Sequence, residues 1–529
     1  MDALMVYTYI AAGCAAMLLL QGYMARCFSF LFNPQLIFLL HKGLTLPYLF
    51  RRRRFWGPVT RLQAILHLLY FGGTLVFNIL GVSGLAAASS RAALLAVLHL
   101  IPTLCVPQFS LAAKLCGISL STYGRIHRTF GIMATLQSIL HVVLSLREVA
   151  FSLADRIQRY GFMAAIALAV MLAATVIRFH HWSYELSSKA HSTLGVFVAV
   201  AAWLHLKRRF GYGGVCLITA VGSFLLSSIV HLFLQLFRNT MTGKSLAVAD
   251  VKKVKDAIEL TFEPPRPWKV RSGQYVYIRA PAVRLLSFAE SHPFSIVWWK
   301  NGPDEKAVSV SVLAKVESGF TKALNDSSHK RLRVLLDGPY GRHKDTEPYD
   351  SIVLVATGAG IAAQLPYARE LVQHQLDAQK DKSGYTHKRK QRVSLIWQLD
   401  EEYHEDWVCD WMDQLLEEDS KSLALHYSLY ILHKSNSACQ EGENIHYGRR
   451  GAAFYGKPDF HRILEKELQL CYGKLLLSVA ADSETRDKLR RIIITSGAPI
   501  DLYEPDYQPH RRRGGFWAPK RKVQHIGAV

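Results

Sequence analysis

Residues 127–141 read HRTFGIMATLQSILH, and residues 191–205 read HSTLGVFVAVAAWLH. Each stretch begins and ends on histidine, fourteen positions apart, and is otherwise mostly apolar. Fourteen residues advance an α-helix by about 21 Å and return to within about 40° of the starting face. Both histidines of a pair therefore share one helical face, one near each edge of a hydrocarbon layer about 30 Å thick. With the two helices parallel, His127 comes level with His191 and His141 with His205. Two levels of paired neutral imidazoles suit bis-histidine haem iron, so two stacked haems are expected. A lone intramembrane histidine is more simply a polar group satisfied inside a bundle, and His67, His99 and His231 are read that way. Two pairs at identical spacing are not, because ionisable groups inside membrane helices are functional by default.

Working outward, the apolar residues crowd into the first 240 of 529 positions, which divides the chain into a membrane half and a soluble half. The formal net charge of +22 is concentrated in Arg51–Arg54, Lys207–Arg209 and the tail from Arg511 to Lys522. Basic clusters beside membrane spans set topology or meet anionic lipid, so nucleic-acid binding is rejected. The eight cysteines show no CxxC and no metal-ligand spacing, which excludes a disulfide framework. The N-terminus lacks the basic region of a cleavable signal, and the first apolar segment is expected to be a retained span.

Seven apolar stretches approach spanning length: 5–24, 60–82, 92–114, 126–146, 161–178, 192–207 and 213–237. The third is interrupted by Pro102 and Pro107. Basic residues after the first, third and fifth stretches put those loops, and the soluble half, in the cytosol, with the N-terminus outside. The Lys207–Arg209 cluster runs against that rule. The topology stands because it makes the two histidine helices parallel.

From residue 241 short alternating strands (AIELTFEP, GQYVYIRAP, HPFSIVWW, KAVSVSVLAKV, RLRVLLDGPYG) predict a small antiparallel β-barrel. From 351 strands alternate with helices, which predicts a parallel, doubly wound sheet. Residues 377–392 and 434–452 read as surface insertions and 505–529 as a disordered basic tail. The expected domains are 1–240, 241–348, 349–504 and the tail.

Two motifs lie in the barrel. His292, Pro293, Phe294 and Ser295 open a strand, and Ser318, Gly319, Phe320 and Thr321 open a helix whose free N–H groups suit a pyrophosphate. Ordinary capping by Ser318 or Thr321 is the simpler account of the second. In the sheet, Thr357, Gly358, Gly360 and Ile361, with Ala363, form a G-x-G-x-x-A turn that lets backbone approach phosphate. No acidic residue stands cleanly about 20 positions on, where the basic insertion lies instead, so a Rossmann unit proper is not expected. Arg449 and Arg450 are weak candidates for a 2′-phosphate. Asn325-Asp326-Ser327 is a glycosylation sequon expected to go unused in the cytosol.

Together these residues resemble the fungal ferric-chelate reductases, in the superfamily that includes the NADPH oxidases. The likeness runs over roughly residues 90–500. It rests on the two histidine pairs, the flavin motif His292–Ser295, LDGPYG at Leu336–Gly341, and the glycine motif continuing through AAQLPY at Ala362–Tyr367. The resemblance implies FAD held by those barrel residues together with Gly273, Gln274 and Tyr275, and NADPH held at the glycine turn. It implies two b-type haems, and electron delivery to extracytoplasmic ferric or cupric chelates. A plasma-membrane location is expected, with the vacuolar membrane as alternative, and a metal-uptake transporter is a candidate partner. A superoxide-producing oxidase is the alternative function; equal histidine spacings, and an end at Gly527-Ala528-Val529 without the oxidases' terminal aromatic, argue against it. A seven-helix receptor or channel is the remote alternative and leaves the soluble motifs without purpose. Where many relatives carry Cys-Gly-Pro near the nicotinamide, this chain has Ala480-Ala481-Asp482.

Overall fold

The computed structural model describes residues 5–8, 39–52, 57–176, 184–206, 211–241, 246–284, 287, 290–380, 391–420, 422–433 and 444–509. The membrane half contains α1 (Arg61–Ile79), α2 (Leu85–Leu104), a short α3 (Phe109–Leu115), α4 (Leu120–Glu148), α5 (Arg156–Val176), α6 (Tyr184–Leu206) and α7 (Gly211–Asn239). Local chemistry sets several ends. Thr60 and Gln63 form a capping box at the start of α1, and Ser119 accepts from Thr122 N at the start of α4.

Five of these helices are long and apolar enough to cross a membrane: Arg61–Ile79, Leu85–Leu104, Leu120–Glu148, Arg156–Ala174 and Gly211–Asn239. α6, which carries the second histidine pair, is not among them. Its first turns hold Glu185, Lys189 and His191. Apart from residues 5–8, the segment expected as the first span lies outside the described residues.

The expected third span, 92–114, is corrected. The helix accommodates Pro102 in its last turn and ends at Leu104; the chain then restarts as α3, a separate helix. α3 is apolar for another reason: its Leu111 packs with Tyr275 and Tyr340 of the soluble half. The basic loop after the first segment also has a protein partner. Arg52 pairs with Asp487 at 3.1 Å, and Leu46 is buried in the core around Val353 and Leu475. In the same loop β1 (Tyr48–Phe50) pairs antiparallel with β2 (Val59–Thr60).

The first soluble domain is a curled antiparallel sheet of β3 (Val248–Val254), β4 (Ala257–Phe262), β5 (Tyr275–Arg279), β6 (His292–Asn301), β7 (Ala307–Lys315), β8 (Arg331–Arg333) and β9 (Leu335–Tyr340), with α8 (Phe320–Asp326) between β7 and β8. Its order is β8-β3-β4-β7-β6-β5-β9, so the two edge strands are consecutive in the chain, separated only by Val334. β3 is not among the expected strands, and the stretch RLRVLLDGPYG forms two strands, β8 and β9, on opposite edges. Alternation builds the core: Ile258, Leu260 and Phe262 of β4 meet Val276 and Ile278 of β5.

The second soluble domain is a mostly parallel sheet in the order β13-β14-β12-β11-β10-β15-β16. Its strands are β10 (Ser351–Thr357), β11 (Arg392–Glu401), β12 (Leu425–His433), β13 (Asn444–Tyr447), β14 (Gly451–Tyr455), β15 (Leu475–Ala480) and β16 (Ile500–Tyr503). Helices α9 (Ile361–Lys380) and α10 (Cys409–Glu418) cover one face, and α11 (Phe460–Gln469) and α12 (Ser483–Ser496) the other. Strand β10 serves both faces, with Ile352, Leu354 and Ala356 in one core and Val353 and Val355 in the other. This is the continuous apolar run expected of a doubly covered strand. Part of the expected insertion at 434–452 is strand, since β13 begins at Asn444.

Candidate functional site

The two histidine helices run side by side. The rings of His127 and His191 lie with centres 6.0 Å apart and planes at 62°; those of His141 and His205 lie 6.2 Å apart at 67°. Metal–imidazole bonds of about 2.0 Å, with about 1.1 Å more from each nitrogen to its ring centre, put two rings roughly 6.2 Å apart across one shared ion. Both pairs have that separation. The rings of His141 and His205 are also held from behind. His141 Nδ1 lies 3.0 Å from the Ser89 carbonyl and His205 Nδ1 2.8 Å from the Ile157 carbonyl, which aims each Nε2 lone pair away from its own helix. α5 can approach because residue 161 is glycine: a Cβ there would stand 2.8 Å from the His205 ring. Among the described residues no cluster of three or more His, Cys, Asp or Glu could hold a metal ion.

The lone histidines are satisfied. His67 bonds the Gln63 carbonyl and Thr129, and His99 bonds the Leu95 carbonyl and Tyr7. His231 bonds Asp337 of the curled sheet at 3.0 Å, so it belongs to the junction between the two halves of the chain.

The barrel motifs, distant in sequence, meet in space. His292 stacks on Phe320 with ring centres 4.3 Å apart, which brings the start of β6 against the start of α8. Arg284 chelates Glu290, which also takes a bond from His292. Burial works against the Glu290 carboxylate, but Arg284 and His292 outweigh it and hold its pKa below the usual value. Capping does not explain the Ser318–Thr321 motif: the N-cap is Gly319, with no side-chain cap, and Thr321 Oγ1 turns back to accept from Glu317 N. Tyr275 and Ser295 are register partners. They line one pocket with Gly273, Gln274 and Ile296, opposite Ala363 and Pro366 of α9 and beneath Pro505, Asp506 and Tyr507.

Pro505–Tyr507 were expected in the disordered tail, yet residues 505–509 are folded against the site. Tyr507 packs edge-on to Tyr275 at 4.7 Å and bonds Tyr277. Gln508 bonds Ala481 N and Val479 O, and Asp506 accepts from Leu120 N at the start of α4. Burial raises the Asp506 pKa, against the Leu120 bond and the Arg342 charge. Residues 505–509 carry one Asp and no Lys or Arg, so a change of charge separates them from the basic run that begins at Arg511.

The glycine turn sits where strand order reverses. β11 pairs with one side of β10 and β15 with the other, so the turn after Thr357 and the Ala480-Ala481-Asp482 segment flank one crevice at the strands' carboxyl ends. Thr357 Oγ1 accepts from Asp482 N at 2.8 Å. Gly360 is required by close approach: a Cβ there would lie 1.9 Å from the Ala480 carbonyl. Ala480 and Ala481 are fully buried, and Asp482 caps α12 through Glu484 N and Thr485 N.

Arg449 is corrected. It lies in the turn before β14, and β14, β12, β11 and β10 are parallel, so Arg449 stands at the opposite end of the sheet from the glycine turn. Arg450 is also committed elsewhere, to buried Asp419 at 2.9 Å.

A polar junction joins the halves. Asp337 accepts from His231, from Tyr340 at 2.5 Å and from Gln108 at 3.2 Å. Burial opposes its charge, but these donors prevail and lower its pKa. Asn239 brackets the backbone of Leu336 with two hydrogen bonds, Arg238 bonds the Gly338 carbonyl, and Lys114 bonds the Pro339 carbonyl.

Residues 240–344 match a family model described as an FAD-binding domain, and residues 349–479 one described as a ferric reductase NAD binding domain. A probable cell surface ferric reductase of Aspergillus oryzae is 27% identical over 322 residues, covering 55% of this chain and 41% of that protein. The ferric/cupric reductase transmembrane component 2 of Saccharomyces cerevisiae is 22% identical over 269 residues, covering 48% and 36%. Dual oxidase 1 of Caenorhabditis elegans is 26% identical over 229 residues, covering 39% and 14%. The chain thus spans about two fifths or less of these relatives' lengths. Among solved structures, a flavohemoglobin from Malassezia yamatoensis aligns over 80% of this chain and 99% of its own at 15% identity, with a TM-score of 0.37.

Proposed function

We propose, from the premise that residues 240–479 carry the FAD-binding and NAD-binding domains of the ferric reductase family, that this chain is a transmembrane ferric-chelate reductase. It takes electrons from cytosolic NADPH and delivers them to Fe(III) or Cu(II) chelates on the other side of the membrane. The observation that carries the reading is the pair of histidine couples at metal-bridging separations of 6.0 and 6.2 Å, in a bundle docked on the flavin domain.

When bound, NADPH supplies a hydride, FAD divides its two electrons, and two b-type haems carry them singly across the bilayer. The protein's own part is placement. His127 and His191 would hold the inner haem, and His141 and His205 the outer, with the Ser89 and Ile157 carbonyls fixing the outer rings. Gly273, Gln274, Tyr275 and Ser295 form the wall for the flavin ring, with Pro293 and Phe294 in the strand that sets that wall. His292 and Phe320 pack the far end, near Ser318, Gly319 and Thr321, where the cofactor's phosphates would lie. Thr357, Gly358, Gly360 and Ile361 offer backbone to the nucleotide at the carboxyl end of β10. Tyr507 and Pro505 cover the pocket and limit water's access to it.

The loops at 41–52 and 105–119 both touch the soluble domains, which supports one cytosolic side for all three. The plasma membrane is the proposed location. The acceptor is tested in sealed vesicles given NADPH on the cytosolic side and an impermeant ferric chelate on the other. Ferrous product should account for most of the NADPH consumed, and superoxide dismutase should not change it. If superoxide takes most of the electrons while chelate is present, the oxidase reading replaces this one.

A further inference from the structure

α3 touches both the flavin pocket and the inner histidine pair through two adjacent residues. On the pocket side, Ser110 is 1% exposed, and its hydroxyl lies 3.0 Å from Tyr275 Oη and 2.9 Å from Tyr277 Oη. Tyr275 is itself a wall of the pocket. On the membrane side, the Phe109 ring lies 4.8 Å from that of His127, centre to centre, and 5.2 Å from that of Tyr123. From pocket wall to inner ligand the path is therefore one tyrosine, one hydrogen bond, one peptide unit and one ring contact.

We infer that Phe109 and Ser110 are the bridge that sets the distance and packing between the flavin and the inner haem, an inference that rests on the reading above. Ser110 ties the pocket wall to α3, and Phe109 fixes the plane of the His127 imidazole. Both are positioning residues. The step they serve is a one-electron transfer in which the reduced flavin loses an electron and one ferric ion becomes ferrous. Two such transfers complete the flavin's oxidation and release its protons to cytosolic water, with no bond made or broken in the protein. Docking of α3 does not rest on these two side chains alone. Leu111 packs against Tyr275 and Tyr340, Gln108 bonds Asp337, and Lys114 bonds the Pro339 carbonyl. Removing the Ser110 hydroxyl or the Phe109 ring therefore leaves the domains joined but less closely registered, which slows the electron's passage from pocket to inner pair.

The test uses the full-length, cofactor-loaded protein, mixed anaerobically with NADPH. Ser110→Ala and Phe109→Ala should keep wild-type flavin content and flavin reduction rate, while haem reduction slows severalfold. Phe109→Ala should also shift the paramagnetic resonance of the inner low-spin ferric haem and leave the outer signal in place. If Phe109→Ala loses haem, Phe109→Leu, which keeps bulk without the ring, should still shift the inner signal. Haem reduction at the wild-type rate with an unaltered inner signal overturns the bridge. So does slowing of flavin and haem reduction by the same factor. A wild-type protein with flavin but no haem bands overturns the underlying reading instead.

Discussion

The imidazoles of His141 and His205 sit 6.2 Å apart, and each is held from behind by a backbone carbonyl of a different helix, Ser89 of α2 and Ile157 of α5. Four helices thus converge on one histidine pair at the end of the bundle away from the soluble domains. Either histidine changed to alanine should abolish the outer haem, leaving about half the haem content, while NADPH still reduces the flavin. Haem quantitation beside flavin bleaching checks this. Loss of flavin reduction in folded protein would contradict the spatial separation of the steps.

Gly360 and Gly358 belong to the same turn but face different surroundings. An added Cβ at 360 meets the Ala480 carbonyl at 1.9 Å, whereas one at 358 meets nothing within 4 Å and only carries the strain of φ +49°. Gly360→Ala should cost about 1–3 kcal/mol through forced displacement and weaken NADPH binding sharply. Gly358→Ala should cost about 1–2 kcal/mol. Thermal melts together with the KM for NADPH distinguish them.

Asp337 gives the junction a pH dependence. Its folded pKa is depressed, so the stability it contributes is fully present above the unfolded value, about 3.9, and is lost as pH falls through the folded value. Besides His231, Tyr340 and Gln108, the cations Arg238 and Lys114 bond the adjoining backbone. Asp337→Asn should lower stability near neutrality and flatten its decline in acid. Melting temperature followed from pH 7 to 3 is the measurement, and an unchanged acid limb would contradict the assignment.

Arg449 and Arg450 separate location from charge. Arg449→Ala should leave the KM for NADPH unchanged. Arg450→Ala removes the partner of buried Asp419 and should destabilise the domain by about 1–3 kcal/mol. A large rise in KM in Arg449→Ala would mean that the nucleotide reaches the far end of the sheet.

Periodicity and spacing determined a good deal about this protein. The His127/His141 and His191/His205 pairs were legible because helical geometry converts a sequence interval into a position on a face, without knowledge of the partner helix. The switch from apolar spans to alternating strands announced an antiparallel sheet, whose first strand begins at Val248, and buried runs such as SIVLVA announced a sheet covered on both faces. Long-range packing decided the rest. The apolar character of residues 109–115 resembles the end of a span until Leu111 is seen against Tyr275 and Tyr340. Arg449 looks suited to phosphate until strand direction puts it at the wrong end of the sheet. Tyr507 reads as the edge of a basic tail until it is found beside Tyr275. A residue's chemistry is local and can be read in order along the chain. Which residues meet across hundreds of positions depends on how the sheets curl and the helices dock, and that is settled only when all the apolar faces are buried together.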